Sequence, residues 1–225
     1  MHVPDLEQSR PETTGPESLS QLLGGWRAST DATLPPVAFV VGWLVSGHSI
    51  GAGAGAAIAV AVLLAGYRLL RGTRPRAVLL GLLGVAVAAT VALRTGRAVD
   101  FFLVQLASNA ASALAWAVSI VVRWPLLGVV VGAALGQRTR WRRDPDLLRA
   151  YCRASWVWVC QYTVRVVVFG VLYAANAVVA LGIARVALSW PLVAACVAVS
   201  AWVVRRSLPA DHPGFRHPRL PAPAN

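Results

Sequence analysis

Apolar positions fall in long blocks along this chain, and nearly every block ends at arginine, glycine or proline. The first, Leu34 to Ser46, is roughly 20 Å long as a helix, short of the ~30 Å hydrocarbon core of a bilayer. A polar turn, Ser46-Gly47-His48-Ser49, leads into Ile50 to Leu70, whose 21 residues carry no charge before Arg68. Arg68, Arg71, Arg74 and Arg76 then enclose Gly72 and Pro75, a joint of helix breakers and positive charge. Ala77 to Leu93 and Phe101 to Val122 predict a third and a fourth crossing, with Asp100 placed as an N-cap for the fourth. Trp124 to Gly136 has 13 residues, too few to span, and predicts a re-entrant or interfacial helix.

Asp144-Pro145-Asp146 supplies an N-cap, a first-turn proline and a first-turn acid in succession. It opens a helix of about thirty residues, running to Asn176, that carries Arg165 far into an apolar run. The next block, Ala177 to Ser189, is interrupted by Arg185, and Val186 to Val204 predicts the last crossing. The pattern as a whole predicts an all-α fold: a polytopic integral membrane helical bundle of about six transmembrane helices plus the short segment. Residues 1–30 and 207–225 are too polar and proline-rich to bury, so they read as disordered tails around a transmembrane domain of residues 31–206.

Composition agrees with a bilayer setting, since 57% hydrophobic and 13% charged residues could not cover an ordinary soluble surface. The net charge of +12 comes from 21 basic residues, all arginine. They stand at the ends of apolar blocks instead of along one polar face, which argues against a nucleic-acid partner and for topology signals and anionic lipids. Under six crossings, 17 arginines fall with the two tails and the 68–76 and 123–153 loops, while Arg94, Arg97 and Arg185 fall on the other side. The positive-inside rule then expects a plasma (inner) membrane protein with both termini in the cytoplasm. Acidic residues at the N-terminus argue against a cleaved signal. Cys152, Cys160 and Cys196 form no CxxC pair and read as small apolar packers.

Arg165 is the most informative residue, because a cation near the bilayer centre costs at least ~2.5–3.5 kcal/mol and must face protein or water. Asn109 and Asn176 complete a candidate intramembrane polar site. It either holds an anion or lipid head group, or is a structural arginine bonded to helix carbonyls and to amides such as Asn109 or Gln105. Arg97 and Asp100 form a candidate ion pair on the outer face. Gly51 with Gly55, and Gly128, Gly132 and Gly136, have the spacing of helix-packing faces. No Asp, Glu or His falls inside a predicted span, so the expectation is no enzyme, no catalytic residue, no metal and no cofactor. His48 receives no role. A weak internal echo links Asn109-Ala110 to Asn176-Ala177 and Trp124-Pro125-Leu126 to Trp190-Pro191-Leu192.

A family likeness rests on Arg94-Thr95-Gly96-Arg97, Asp100-Phe101-Phe102, Asn109-Ala110, Arg123-Trp124-Pro125-Leu126, Trp141-Arg142-Arg143-Asp144-Pro145, Ala184-Arg185 and Trp190-Pro191-Leu192. In this order they resemble an actinobacterial multi-pass membrane family classed as domain of unknown function 3159, over about residues 22 to 206. More distantly, the layout is similar to the intracellular septation protein A group, which implies a non-enzymatic cell-envelope or division-related protein acting through helix–helix contacts. The alternative is a small transporter or channel with Arg165 near the bilayer midplane. Either function expects the lipid bilayer, anionic lipids and other membrane proteins as partners, and is compatible with a homo-oligomer.

Overall fold

The computed structural model describes residues 25–72, 75–137, 139–209, 212–214 and 219, and among these there is no strand. Helix α1 (Gly25–Val45) contains the consecutive prolines Pro35 and Pro36. It begins inside the stretch read from sequence as a tail, whose first 24 residues lie outside the described ones. Gly47 and His48 both adopt positive φ, reversing the chain into α2 (Ile50–Leu70), where the Ser49 hydroxyl accepts from the Ala52 N–H at 3.4 Å. Next come α3 (Pro75–Thr95), a 3-10 turn (Ala98–Phe102), α4 (Leu103–Val121) and the short α5 (Leu126–Ala134). A second 3-10 turn (Arg140–Arg143) precedes α6 (Pro145–Ala174), a helix of 30 residues. The chain closes with α7 (Val178–Ala187) and α8 (Trp190–Ser207).

Five segments are long and apolar enough to cross a membrane: Ile50–Leu70, Val78–Thr95, Ala98–Val121, Pro145–Ala174 and Val178–Ser207, with a shorter apolar stretch at Thr33–Val45. Their outward faces are apolar, with Leu63 at 72% and Leu80 at 69% exposure. Water would penalise such a surface and lipid would not. The fold is thus the all-α polytopic bundle that the periodicity predicts.

The helices form two groups. α1 lies along α2 and α2 along α3, while α4 lies along α6 and α6 along α8. α7 joins the groups, touching α1, α6, α8 and the first 3-10 turn, whereas α3 and α4 meet only sparsely. A stack of Phe39 on Phe101, with centroids 4.0 Å apart, fills the core at one end of this seam. At the arginine-rich end a second core gathers Leu127, Trp141, Leu147, Tyr151 and Val204.

Glycine packing differs from the expected register. Gly51 and Gly55 are exposed, and a Cβ on Gly55 would meet nothing within 4 Å. The α1–α2 contact runs instead through Gly53, Ala54, Ala57 and Ala61, and a Cβ on Gly53 would lie 2.9 Å from the Phe39 carbonyl oxygen. Residues two apart on a helix point some 200° from each other, so choosing Gly51 over Gly53 selects the opposite face. On α5, Gly128 and Gly132 are buried as expected, with Gly128 pressed against the Trp141 ring. Gly136 is not part of that face: it has φ +65° past the helix end, the left-handed position that favours glycine.

The last crossing is built from two pieces. The predicted span Val186 to Val204 is carried from Trp190 onward by α8, but its start is displaced, because the helix is interrupted at Leu188–Ser189. Pro191 explains the break, since it cannot donate to the Ala187 carbonyl and its ring would collide with it. A ten-residue α7, about 15 Å long, therefore ends within the bundle and α8 resumes after the gap.

Candidate functional site

Arg165 sits on α6 facing this break. Its guanidinium donates to the Leu188 carbonyl and, at 3.2 Å, to the Ser189 carbonyl, and it lies 5.8 Å from the Tyr162 ring centroid. The Ser189 carbonyl also accepts from the Val193 N–H at 3.3 Å as α8 begins, and at such a break a charged N–H group bonds a carbonyl more strongly than a neutral one. The hydrogen-bond acceptors of Arg165 are backbone carbonyls, and neither Asn109 nor Gln105 is among them.

Those two amides nevertheless line the same space. A cavity of about 170 Å³ is bounded by Thr33, Gln105, Asn109, Arg165, Arg185 and Ser189, together with three apolar side chains. Gln105 donates to the Asn109 carbonyl oxygen at 3.2 Å, one turn along α4. Asn109 is 2% exposed, and among the described residues its Nδ2 has no hydrogen-bond partner. An unmet buried donor is costly, by ~1–3 kcal/mol, and such an atom in a native fold calls for a partner. Arg165 Nε is likewise unpartnered. No described lining residue is acidic. The chamber therefore offers donors and positive charge in a space large enough for several waters or a small anion.

Two sequence placements need correction here. Arg185, counted with the outer loops, is in the last turn of α7 and lines the chamber beside Arg165, because α7 descends into the bundle before it breaks. The signal was present in the sequence as Pro191, which places a helix end four residues upstream of itself. Asn176, grouped with Arg165, lies elsewhere: it occupies the α6–α7 turn at φ 52°, and its side-chain oxygen accepts from Arg97 at 3.0 Å.

That contact belongs to a second polar cluster. Asp100 is buried, accepts from the Tyr173 hydroxyl at 2.6 Å and lies 3.9 Å from the Arg97 guanidinium. The expected Arg97–Asp100 pair thus forms, but Asp100 does not cap α4. It sits inside the 3-10 turn, and no side chain caps the helix that follows. The cluster ties the α6–α7 turn to the α3–α4 connection, and every carboxylate contact in it comes from the protein itself.

A third cluster stands at the arginine-rich end. Asp144 caps α6 as the sequence predicts, its Oδ1 accepting from the Asp146 and Leu147 N–H groups at 3.0 and 3.2 Å. Its Oδ2 holds the C-terminal segment through His212 Nε2 at 2.9 Å and the Arg219 N–H at 2.8 Å. Burial raises the carboxyl's pKa, and these hydrogen bonds together outweigh it, holding the group below its ordinary range. No sequence pattern joined Asp144 to residues so far along the chain. Among the described residues the cysteines are free, and no group of histidine, cysteine and acidic side chains could hold a metal.

No curated protein and no solved structure matches the chain. A family profile does match residues 23–211, which take in every helix and all three clusters save His212 and Arg219. The chain belongs to the family described as protein of unknown function (DUF3159).

Proposed function

We propose that the chain is a non-enzymatic membrane protein of the transporter class that binds a small oxyanion at the helix break. The observation that carries this reading is Arg165 facing a half-open chamber next to the unpartnered Nδ2 of the buried Asn109. A planar guanidinium suits oxyanions, and broken membrane helices commonly frame ligand sites of this kind. The arginine distribution supports placement in the plasma membrane with both termini in the cytoplasm, so that Asp144 and the tails lie inside and Arg97 outside. Equilibrium dialysis of the protein in nanodiscs against inorganic phosphate and sulfate should detect binding that Arg165→Gln removes. Absence of binding in the unmodified protein would overturn the reading.

A second reading is a cell-envelope or division-related protein acting through helix contacts, in line with the distant septation-group likeness. The face of Gly51 and Gly55 favours it, since small exposed residues leave room for a partner helix in lipid. Gly55→Leu should then disrupt co-purification of partners or self-association in detergent. An unchanged profile removes that support.

A further inference from the structure

Gln105 and Arg185 of the chamber also line a second cavity of about 310 Å³. This crevice follows the seam where α3 and α4 meet only sparsely. Its walls are mostly apolar, including Leu64, Val85, Ala88 and Phe102, and Arg68 stands among its lining residues on the last turn of α2. Leu80, which also lines it, is 69% exposed, so the crevice communicates with the lipid-facing surface. A polar chamber and an apolar trough that share two side chains match a molecule with an anionic head and an alkyl chain. An inorganic ion would occupy only the first part and leave the apolar walls uncovered.

Resting on the reading of the chamber as an anion site, we infer that its ligand is a single-chain lipid phosphate that enters sideways from the bilayer. The phosphate lies at Arg165 and Asn109, and the chain lies in the crevice. Arg165 and the Asn109 amide supply donors to the phosphate oxygens, and the amide thereby gains the partner it lacks within the protein. The chain covers apolar surface along Val85, Ala88 and Phe102. Each methylene that passes from water into the crevice should tighten binding about fourfold. Arg68 then marks the crevice's far end, and the head does not rest on it.

The test is a series of inorganic phosphate and butyl, hexyl and octyl phosphate, measured by equilibrium dialysis on the full chain in nanodiscs, with empty nanodiscs subtracted. Affinity should rise about fifteenfold with each pair of methylenes and fall at least tenfold for every member in Arg165→Gln. Gly84→Leu projects into the crevice from a helical position whose Cβ would meet nothing within 4 Å, so it should fold. It should cancel the chain-length gain and leave inorganic phosphate binding unchanged. Phosphate binding that depends on Arg165 but ignores chain length would overturn this inference and leave the anion site standing. A chain-length gain abolished by Arg68→Gln and not by Arg165→Gln would also overturn it, by placing the head at the other end. No binding of any member would remove both. If Arg165→Gln does not accumulate, Asn109→Leu takes its place, because it leaves the arginine's carbonyl bonds intact and should still weaken the whole series.

Discussion

Replacing Asp144 by asparagine should release the C-terminal segment while leaving α6 in place. Oδ1 caps the helix, and asparagine is as good an N-cap as aspartate, so the bonds from Asp146 and Leu147 survive. Oδ2 is different: an amide nitrogen at that position would face the Arg219 N–H, donor against donor, where the carboxylate now accepts at 2.8 Å. Hydrogen bonds to a charged group contribute ~1.5–3 kcal/mol each, so losing about 2 kcal/mol of local anchoring should speed exchange of the Arg219 amide roughly thirtyfold. The melting temperature should hardly move, whereas Asp144→Ala, which also loses the cap, should cost a further ~1 kcal/mol of α6 stability. Hydrogen exchange read by mass spectrometry on the 212–219 peptide, with His212→Ala as the second variant, measures this directly. Unchanged exchange in Asp144→Asn would refute the claim that the charged oxygen holds the tail. The pH dependence has a fixed sign. The carboxyl's folded pKa lies below its unfolded value of about 3.9, so its contribution is fully present above that pH. It is lost only as pH falls through the lower folded value, and protonation of Asp144 should loosen the segment only in strong acid.

Further outcomes follow from packing. A Cβ on Gly128 would sit 2.7 to 2.9 Å from three atoms of the buried Trp141 ring, so Gly128→Ala should destabilise the detergent-solubilised protein by ~1–2 kcal/mol after its gain in helix propensity. The same change at Gly55, where the Cβ meets nothing, should be neutral or stabilising by up to ~1 kcal/mol, and thermal unfolding of the pair compares the two faces of α2 and α5. Tyr173→Phe removes the 2.6 Å bond to the buried Asp100 and should cost ~1–3 kcal/mol in the same assay. Arg165→Ala leaves the Leu188 and Ser189 carbonyls without its donors and should lower stability by a similar amount, whereas a lipid-facing arginine would give no loss.

What the sequence made legible was whatever depends on neighbours along the chain. The α6 start at Asp144-Pro145-Asp146, the turn at Ser46–Ser49 and the apolar lengths of the crossings before the last are local or periodic, and each appears where the pattern puts it. The side chosen by a helix is another matter. Gly51 and Gly53 are equally small, and only Phe39 on the neighbouring helix decides which is covered. Likewise Arg185 looks like a loop charge until the break before Trp190-Pro191 is taken as the end of a half-helix inside the bundle. Arg165 was recognisable as a buried cation from its apolar flanks. Its acceptors were not, because a carbonyl leaves no mark in a sequence. Asp100 shows the same limit, since a carboxylate before an apolar run reads as a cap when its distant partner, Tyr173, is unknown.

The interrupted helix also bears on how the protein enters its membrane. A ten-residue α7 is too short to insert alone, so α6, α7 and α8 must be taken up as one hairpin. Arg165 and the two carbonyls that receive it lie on opposite arms of that hairpin, 23 and 24 residues apart. The charge therefore meets its acceptors as soon as the hairpin closes, before any of the first four helices need be in position. Partition of Arg165 into lipid becomes a local event of the C-terminal third, and the docking of α1 to α4 starts from a unit in which that guanidinium already has its acceptors.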